Sequence, residues 1–381
     1  MKIQNITSYN YQNNIQKSNI QKYSTKSKSD VTEIKSNLVS FSGIKEFGLK
    51  LQAKKLELDA WKIHKEAALA RKTSYLIQDK AIDILRDGQQ IEFQAQFLLN
   101  EVLDIIVSMR STDFEDEYDR DNNSLIRRFY EYDEYNEKCP PTIEEYDNDG
   151  NVIRKIEFDM QTIKVVEYDS VSGHYDAYTF DTDSGKLIKF ALDVDLDDDD
   201  TKASERYLYN QGNVVSYDTD YRLNRKGVEK FDERYEFSNL QLSDYYTNLR
   251  IETNGIKESD ERYFFNEGVL YKVKLGEVDL FEKRIGSIEE YEYDEDGGII
   301  SATVGLEQEY GTLNAEAEKI FKFSELGLEK IYLDVEFDAK KRKTSAKQMF
   351  YCQNEEAKRC AYDYECTNYE KEDFSKIVRV K

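Results

Sequence analysis

Residues 205–218 read ERYLYNQGNVVSYD. In an extended chain successive side chains alternate, so Tyr207 and Tyr209 share one face while Arg206 and Leu208 take the other. Gln211-Gly212-Asn213 then interrupts the run with residues that accept positive φ, the chemistry of a tight hairpin. Val214-Val215-Ser216-Tyr217 resumes as a second strand. The stretch predicts two antiparallel strands with aromatic rings on one side and mostly charged or polar groups on the other.

The unit repeats. Close copies begin at Glu233 (ERYEFSN), Glu261 (ERYFFNEG) and Glu289 (EEYEYDEDGG). The slot of Tyr209 recurs at Tyr118, Tyr146, Phe180, Phe237, Phe265, Tyr293, Phe323 and Tyr351, with steps of 28, 34, 29, 28, 28, 28, 30 and 28 residues. A second aromatic stands two residues earlier at Tyr178, Tyr207, Tyr235, Tyr263, Tyr291 and Phe321. Self-similarity at a fixed period signals a repeat architecture, and this one predicts about 18 strands from repeats of about 28 residues. Tyr207, Tyr235, Tyr263 and Tyr291 are the binding-surface candidates, because a tyrosine ring offers contact area together with a hydroxyl.

Tyr118-Asp119, Tyr146-Asp147 with Gly150, and Tyr293-Asp294 with Gly297 resemble the YD-repeat family of Rhs-like shell-forming proteins. That resemblance covers residues from about 115 to 352 and implies a long curling antiparallel sheet. The period here is longer than the family's, several slots carry Phe, and no protease-like core region or toxin tail accompanies them.

Upstream the pattern changes. From Leu49 to Met109 apolar or small residues follow a 3-4 spacing: Leu49, Ala53, Leu56, Ala60, Ile63, Ala67, Ala70, Ser74, Ile77, Ala81, Ile84, Gly88, Ile91, Ala95, Leu98, Val102, Ile105, Met109. A sustained heptad of this kind is a coiled-coil seam. The spacing predicts one long helix over 44–110, with a hairpin broken at Asp87-Gly88 as the competing reading. A helix with one apolar stripe needs a partner surface. The choices are a second copy, another protein, or the chain's own sheet, whose width of about 85 Å at 18 strands is close to the helix length of about 100 Å.

The fold class is thus α+β: a disordered polar tail at 1–43, a coiled-coil-like helix at 44–110, and a tyrosine-rich antiparallel β-meander at 111–381. Residues 1–40 lack the apolar core of a signal peptide, so the expected location is cytoplasmic or reached by another export route. The tail's Asn, Gln, Ser and Lys content resembles type III secretion signals. The Ser-Phe-x-Gly element within Leu38–Gly43 is similar to one that ends polar leaders in some gut-bacterial proteins.

Composition narrows the function. The 381 residues carry 54 Lys+Arg against 77 Asp+Glu, a net charge of −23, with a pI of about 4.7 and mean hydropathy of −0.78. That argues against a nucleic-acid binder, which needs positive charge to meet phosphates, and against helical membrane spans. A transmembrane β-barrel is the rival for the strand region, but charged residues such as Glu205, Glu233, Glu261 and Glu289 interrupt the aromatic face. Four cysteines, Cys139, Cys352, Cys360 and Cys366, read as reduced thiols rather than a disulfide or zinc framework. His64, His174 and the basic run Lys340–Lys343 read as solvated groups.

No cofactor is expected. Ca²⁺ is the weak exception, its candidate ligands being the turn acids Asp147, Asp149, Asp181, Asp183, Asp294 and Asp296, which supply only the start of a cation loop. No nucleophile elbow, zinc-protease or phosphate-loop motif is present. The sequence therefore points to a non-enzymatic structural or protein-interaction repeat protein. Its helix would dock or oligomerise through the 49–109 seam, and its acidic aromatic sheet would bind a partner. A carbohydrate-binding or cell-surface module and a YD-repeat toxin or enzyme component are the alternatives.

Overall fold

The computed structural model describes residues 41–110, 116–119, 125–130, 142–147, 149–169, 172–196, 200–255, 257–280, 284–309, 314–338, 343–367 and 377–379. The chain divides into Met1–Ile44 and Lys45–Lys381, and the second unit holds the sheet and nearly all of the helix. Of the tail expected to be disordered at 1–43, residues 41–43 open the helix and 1–40 lie outside the described residues, as do Cys139, Lys340–Arg342 and the side chains of Lys343 and Cys366.

One unbroken helix, α1 (Phe41–Arg110), runs for 70 residues through Asp87-Gly88. Its seam is buried, from Leu49 (7% exposed) through Ala67 (0%) to Val102 (0%). What covers it is the chain's own sheet: the seam and the aromatic face form a single apolar cluster. At the C-terminal end Leu99 and Ile106 are buried while Leu98 is half-buried. A helix with 3.6 residues per turn drifts against a strict heptad, and here the stripe advances by one residue.

Among the described residues twenty strands follow in an antiparallel meander in which each pairs with its sequence neighbours. No pairing among them joins β1 (Asp116–Asp119) to β20 (Ile377–Arg379), so the sheet is open. Between them lie β2 (Leu125–Tyr130), β3 (Thr142–Tyr146), β4 (Val152–Phe158), β5 (Thr162–Tyr168), β6 (Tyr175–Asp181), β7 (Leu187–Leu196), β8 (Asp200–Asn210), β9 (Asn213–Asn224), β10 (Glu229–Ser238) and β11 (Gln241–Ile251). Then come β12 (Lys257–Asn266), β13 (Val269–Leu280), β14 (Arg284–Tyr293), β15 (Ile299–Glu309), β16 (Ala315–Ser324), β17 (Gly327–Asp338), β18 (Lys343–Gln353) and β19 (Glu356–Thr367).

The expected row of rings is real and longer than the repeat implied. Each of these residues stands directly opposite the next on the neighbouring strand: Ile143, Ile156, Val165, Tyr178, Phe190, Tyr207, Tyr217, Tyr235, Tyr245, Tyr263, Val273, Tyr291, Ala302, Phe321, Ile331, Phe350, Cys360. Every member is at most 6% exposed. Directly opposed rings lie about one contact apart, as with Tyr207–Tyr217 at 4.7 Å and Tyr235–Tyr245 at 4.8 Å. Such cross-strand pairs are the unit of sheet stabilisation.

Three slot assignments are corrected. In β18 the slot is Cys352, packed against the helix-side core, while Tyr351 packs on the opposite face. Tyr118 and Tyr146 stand near the ends of odd strands, β1 and β3, in register through Ile126, so both sit at the opposite end of the strands from Tyr209 and Tyr293, which end even ones. Tyr146 also stands on the opposite face of β3 from buried Ile143. The helix-facing slot there belongs to Phe158, which explains the irregular 34-residue step.

Helix and hairpins are commensurate. Seven helical residues rise about 10.5 Å, and two strands occupy about 9.6 Å. Accordingly Glu57 accepts from Ala357 N at 2.8 Å, His64 meets Phe323 at 5.8 Å, Arg71 donates to Asp296 O at 2.6 Å, and Gln78 donates to Gly268 O at 2.8 Å. Each step of seven along α1 thus moves one hairpin back along the sheet. On the other flank, Asp59 pairs with Lys319 at 3.0 Å, Lys80 with Glu233, and Glu101 with Arg154 at 2.8 Å. These helix positions are 21 residues apart, three heptads, and their partners lie on β16, β10 and β4, three hairpins apart.

The tyrosine hydroxyls obey the same step. Tyr293 donates to Ala67 O at 2.8 Å and Tyr209 to Gly88 O at 3.0 Å, again three heptads and three hairpins apart. Small seam residues permit this close approach. At Gly88 a Cβ would stand 2.4 Å from Val214 Cγ2 and 3.3 Å from Tyr207 Cδ1.

A second periodicity escaped the sequence reading. Residues with positive φ recur in every odd strand from β7 to β19: Asp193 (φ 50), Asp220 (48), Asn248 (48), Gly276 (62), Gly305 (64), Asp334 (50) and Asp363 (47). Pairing register is kept across six of them and shifts by one residue against β6 at Asp193, yet at all seven the faces exchange. Leu333 packs with the helix-side core, whereas Val335, two residues on, joins a cluster on the other face. Only Gly, Asn and Asp visit this conformation routinely. At the two glycines a side chain would meet its neighbour: a Cβ on Gly276 would lie 2.7 Å from Ile288 Cδ1, and one on Gly305 would lie 2.7 Å from Glu318 Cγ.

Gly88→Ala tests the close approach. Relief of helical glycine entropy favours alanine by about 1 kcal/mol, but forcing a methyl against Val214 costs about 1–3 kcal/mol. Denaturant titration is expected to show a net loss of stability that Val214→Ala largely removes in the double variant. A stabilised single variant would contradict the packing.

Candidate interaction surface

The four tyrosines expected to meet a partner are buried: Tyr207 is 4% exposed, Tyr235 1%, Tyr263 2% and Tyr291 1%. The face they occupy is the one α1 covers, so the expected partner of the aromatic sheet is the chain's own helix. Their hydroxyls reach the rim of that interface, where Tyr263 donates to Glu261 Oε2 at 3.0 Å and Tyr291 donates to Glu289. Burial, with these carboxylates beside them, pushes the Tyr207, Tyr235, Tyr263 and Tyr291 hydroxyls far above the usual phenol range. The seam proposed for oligomerisation, residues 49–109, is covered by the same contact from Leu49 to Ile106.

The turn acids serve their own turns. Asp147 Oδ1 accepts from Asp149 N at 3.0 Å and Asn151 N at 2.8 Å, and Asp181 Oδ1 accepts from Ser184 N at 2.7 Å. Asp294 Oδ1 accepts from Gly298 N at 2.6 Å. Hydrogen bonds from Asn151 and from Ser184 hold Asp147 and Asp181 below the usual carboxylate range. Asp149, Asp183 and Asp296 are exposed on these turns. Among the described residues no group of three or more His, Cys, Asp or Glu is arranged to hold a metal. Burial pushes the thiols of Cys352 and Cys360 up to about 12 and about 11, so they stay protonated at neutral pH.

The other face of the sheet carries three arginines at the same position of consecutive repeats, Arg206, Arg234 and Arg262. Arg206 meets buried Asp218 at 2.7 Å and lies 3.7 Å over the Tyr221 ring, while Arg262 lies 4.1 Å over Phe264. Beneath α1, a cleft of about 180 Å³ opens between Arg71, Tyr75, Gln78 and the turns at Gly268 and Gly297. That is below the roughly 300–1,000 Å³ of an ordinary small-molecule pocket.

What remains open to a partner is the outward side of α1. Among the described residues, twelve large apolar side chains stand exposed on it, including Phe47 (68%), Leu51 (64%), Trp61 (55%), Leu76 (68%), Phe93 (63%) and Val107 (67%). The described sheet, several times longer, exposes ten. Phe93 and Phe97 contact edge-on at 5.0 Å, and Lys65 Nζ lies 3.7 Å over the Trp61 ring. Lys54, Lys55, Lys62, Lys65 and Lys72 share the outward side of the N-terminal half, with no acidic residue at the same heptad positions before Asp79. The signal was present in the sequence: Leu51, Leu58, Phe93 and Val107 occupy one heptad position, and Phe47, Trp61, Tyr75, Ile82 and Leu103 another.

No protein-family model matches the chain, and no curated protein matches it. Among solved structures, a porin-like protein from Bacteroides uniformis ATCC 8492 is similar over 66% of this chain and 94% of its own, at 10% identity and a TM-score of 0.11. A superposition of that quality carries no argument about this chain. Among the described residues no helix is long and apolar enough to cross a membrane.

Electrostatics make one test at the strand bends. Burial raises the Asp176 carboxyl to about 6; Asp193 N, donating at 3.1 Å, opposes the shift, and the charges of Asp193, Glu167 and Asp169 add to it. A folded pKa above the unfolded value means that stability falls as pH rises from about 4 to about 6. Asp176→Asn is expected to stabilise the fold at pH 7, by about 1 kcal/mol after allowance for solvent screening. The gain should shrink to nothing near pH 3.5 in thermal melts. A gain independent of pH would contradict the assignment.

Proposed function

We propose that the chain is a non-enzymatic interaction protein in which the β-hairpin array serves as the bed for a long helix and the outward face of that helix meets the partner. The observation that carries this reading is the set of twelve large apolar side chains exposed on α1, from Phe47 to Ile82 and again from Phe93 to Val107. Exposed apolar surface of this extent marks an interaction site. The sheet supports the reading by its own economy: its rings pack against the helix, and their hydroxyls are taken by helix carbonyls, as at Tyr209 and Tyr293, or by flanking carboxylates, as at Tyr263 and Tyr291.

The likeness to YD-repeat proteins is proposed at the level of the hairpin, where Asp147 and Asp294 organise the turns that follow Tyr146 and Tyr293. A glycan-binding role for Tyr207, Tyr235, Tyr263 and Tyr291 is less favoured, because a sugar would have to displace α1 to stack on them.

Photo-crosslinking tests the proposal. A benzophenone amino acid at Trp61 is expected to give protein adducts in cells expressing the full chain, whereas one at Leu326, 91% exposed on a sheet turn, is not. Adducts from position 326 alone would overturn the assignment of the helix as the interaction face.

A further inference from the structure

We propose that the partner on the outward face of α1 is a second copy of the chain, bound antiparallel with its two-fold axis near Ile77. This rests on the reading of that face as the interaction surface and names its occupant.

Charge is the first argument. Residues 45–76 contain 8 Lys+Arg and 4 Asp+Glu, giving 8 − 4 = +4, while residues 77–107 contain 2 and 6, giving 2 − 6 = −4. A helix charged +4 on one half and −4 on the other attracts its own copy head to tail. Parallel pairing would instead set Lys54, Lys62, Lys65 and Lys72 against themselves, and like charges facing one another repel.

Pattern is the second. In an antiparallel pair centred at Ile77, residue i faces the residue for which the two numbers sum to about 154. Phe47 then faces Val107, Leu51 faces Leu103, and Trp61 faces Phe93. Between them Lys54 faces Asn100 and Lys65 faces Gln89, while Leu58 meets Gln96, Tyr75 meets Asp79 and Ile82 meets Lys72, so the apolar matches gather toward the two ends of the pair. Lys50 comes opposite Asp104 and Lys72 beside Asp83, which are all exposed. The line from Phe47 to Val107 spans about 90 Å. Its members share heptad positions with Lys65, Lys72, Asp79 and Arg86, so in the pair residues 47–61 meet 93–107 through apolar contacts and the middle meets through charged ones. An anionic bilayer is the weaker occupant: residues 45–107 sum to zero, so the remaining −23 of the chain would be repelled by it.

Sedimentation velocity of the full chain from about 1 to 50 μM tests the proposal. A species of about twice 44.8 kDa is expected. Trp61 is the one tryptophan, so its emission should shift to the red as dilution dissociates the pair. Leu51→Asp and Trp61→Asp should each raise the dissociation constant at least tenfold with circular dichroism unchanged, because both side chains are more than half exposed. Lys72→Asp should weaken the dimer, and adding Asp83→Lys in the same chain should restore it, which a merely destabilised fold would not do.

A dimer insensitive to Leu51→Asp and Trp61→Asp, or a charge pair without rescue, overturns the proposal. So does a wild-type chain that stays monomeric. If that monomer binds phosphatidylglycerol vesicles and Trp61→Asp abolishes it, the occupant is a lipid surface and the helix face keeps its role. If it binds none and position 61 yields no adducts, the interaction reading fails with the dimer.

Discussion

One spacing governs this structure: the rise of seven helical residues nearly equals the width of two β-strands. Without that equality a 70-residue helix could not lie across the strands and present the same residue types to each hairpin in turn. With it, one short pattern on the helix and one on the sheet suffice for the whole length. The larger seam residues and the cross-strand ring row exclude water continuously, and burying each Leu, Ile or ring contributes on the order of 2 kcal/mol. Neither layer has another partner for that surface. An isolated helix with one apolar stripe is marginal in water, and the ring row would be an exposed adhesive face.

A repeat that fits at every step also fits at the wrong step, so the register needs its own determinants. Three ion pairs supply them, Asp59–Lys319, Lys80–Glu233 and Glu101–Arg154. Sliding the helix by one heptad in one direction sets Gln52, Thr73 and Gln94 at these positions and loses all three. Sliding it the other way brings Asp87 against Glu233 and Ser108 against Arg154. Gly88 adds a steric pin, because either slip brings an alanine, Ala81 or Ala95, to the place where a methyl meets Val214. Arg154 meets the most carboxylates of the anchors. It is held among Glu145, Glu167 and Glu101, and these carboxylates outweigh its burial and keep its pKa above the usual guanidinium value.

Much of this was legible because periodicity reports burial. The slot aromatics and their neighbours two residues earlier gave the helix-facing side of the strands, and the heptad gave one continuous helix. Three things were not legible, each for a physical reason. Tyr146-Asp147 carries good turn chemistry, but turn chemistry does not say at which edge of a sheet the turn lies. Tyr351 and Cys352 are adjacent, and choosing the aromatic one followed residue type where alternation decided. The face switch at Asp220, Asn248, Gly276 and Gly305 is spread over three residue types whose common property is tolerance of positive φ, so no single letter recurs. The tyrosines were correctly placed on one face and wrongly given to an outside partner, since composition cannot tell a surface awaiting a ligand from one awaiting its own helix.

The commensurate step can be measured directly by deletion. Removing residues 68–74 takes out one heptad, and removing residues 265–292 takes out one hairpin, joining Phe264 to Tyr293. Thermal melts of the two single deletions and their combination isolate the coupling between the layers. Each deletion alone should lower the melting temperature strongly, because half the interface falls out of register. The combined deletion should recover most of the loss, with Ala67 again over Tyr293 and Ala81 over Phe237. Additive losses in the combined variant would contradict a helix and sheet built on the same step.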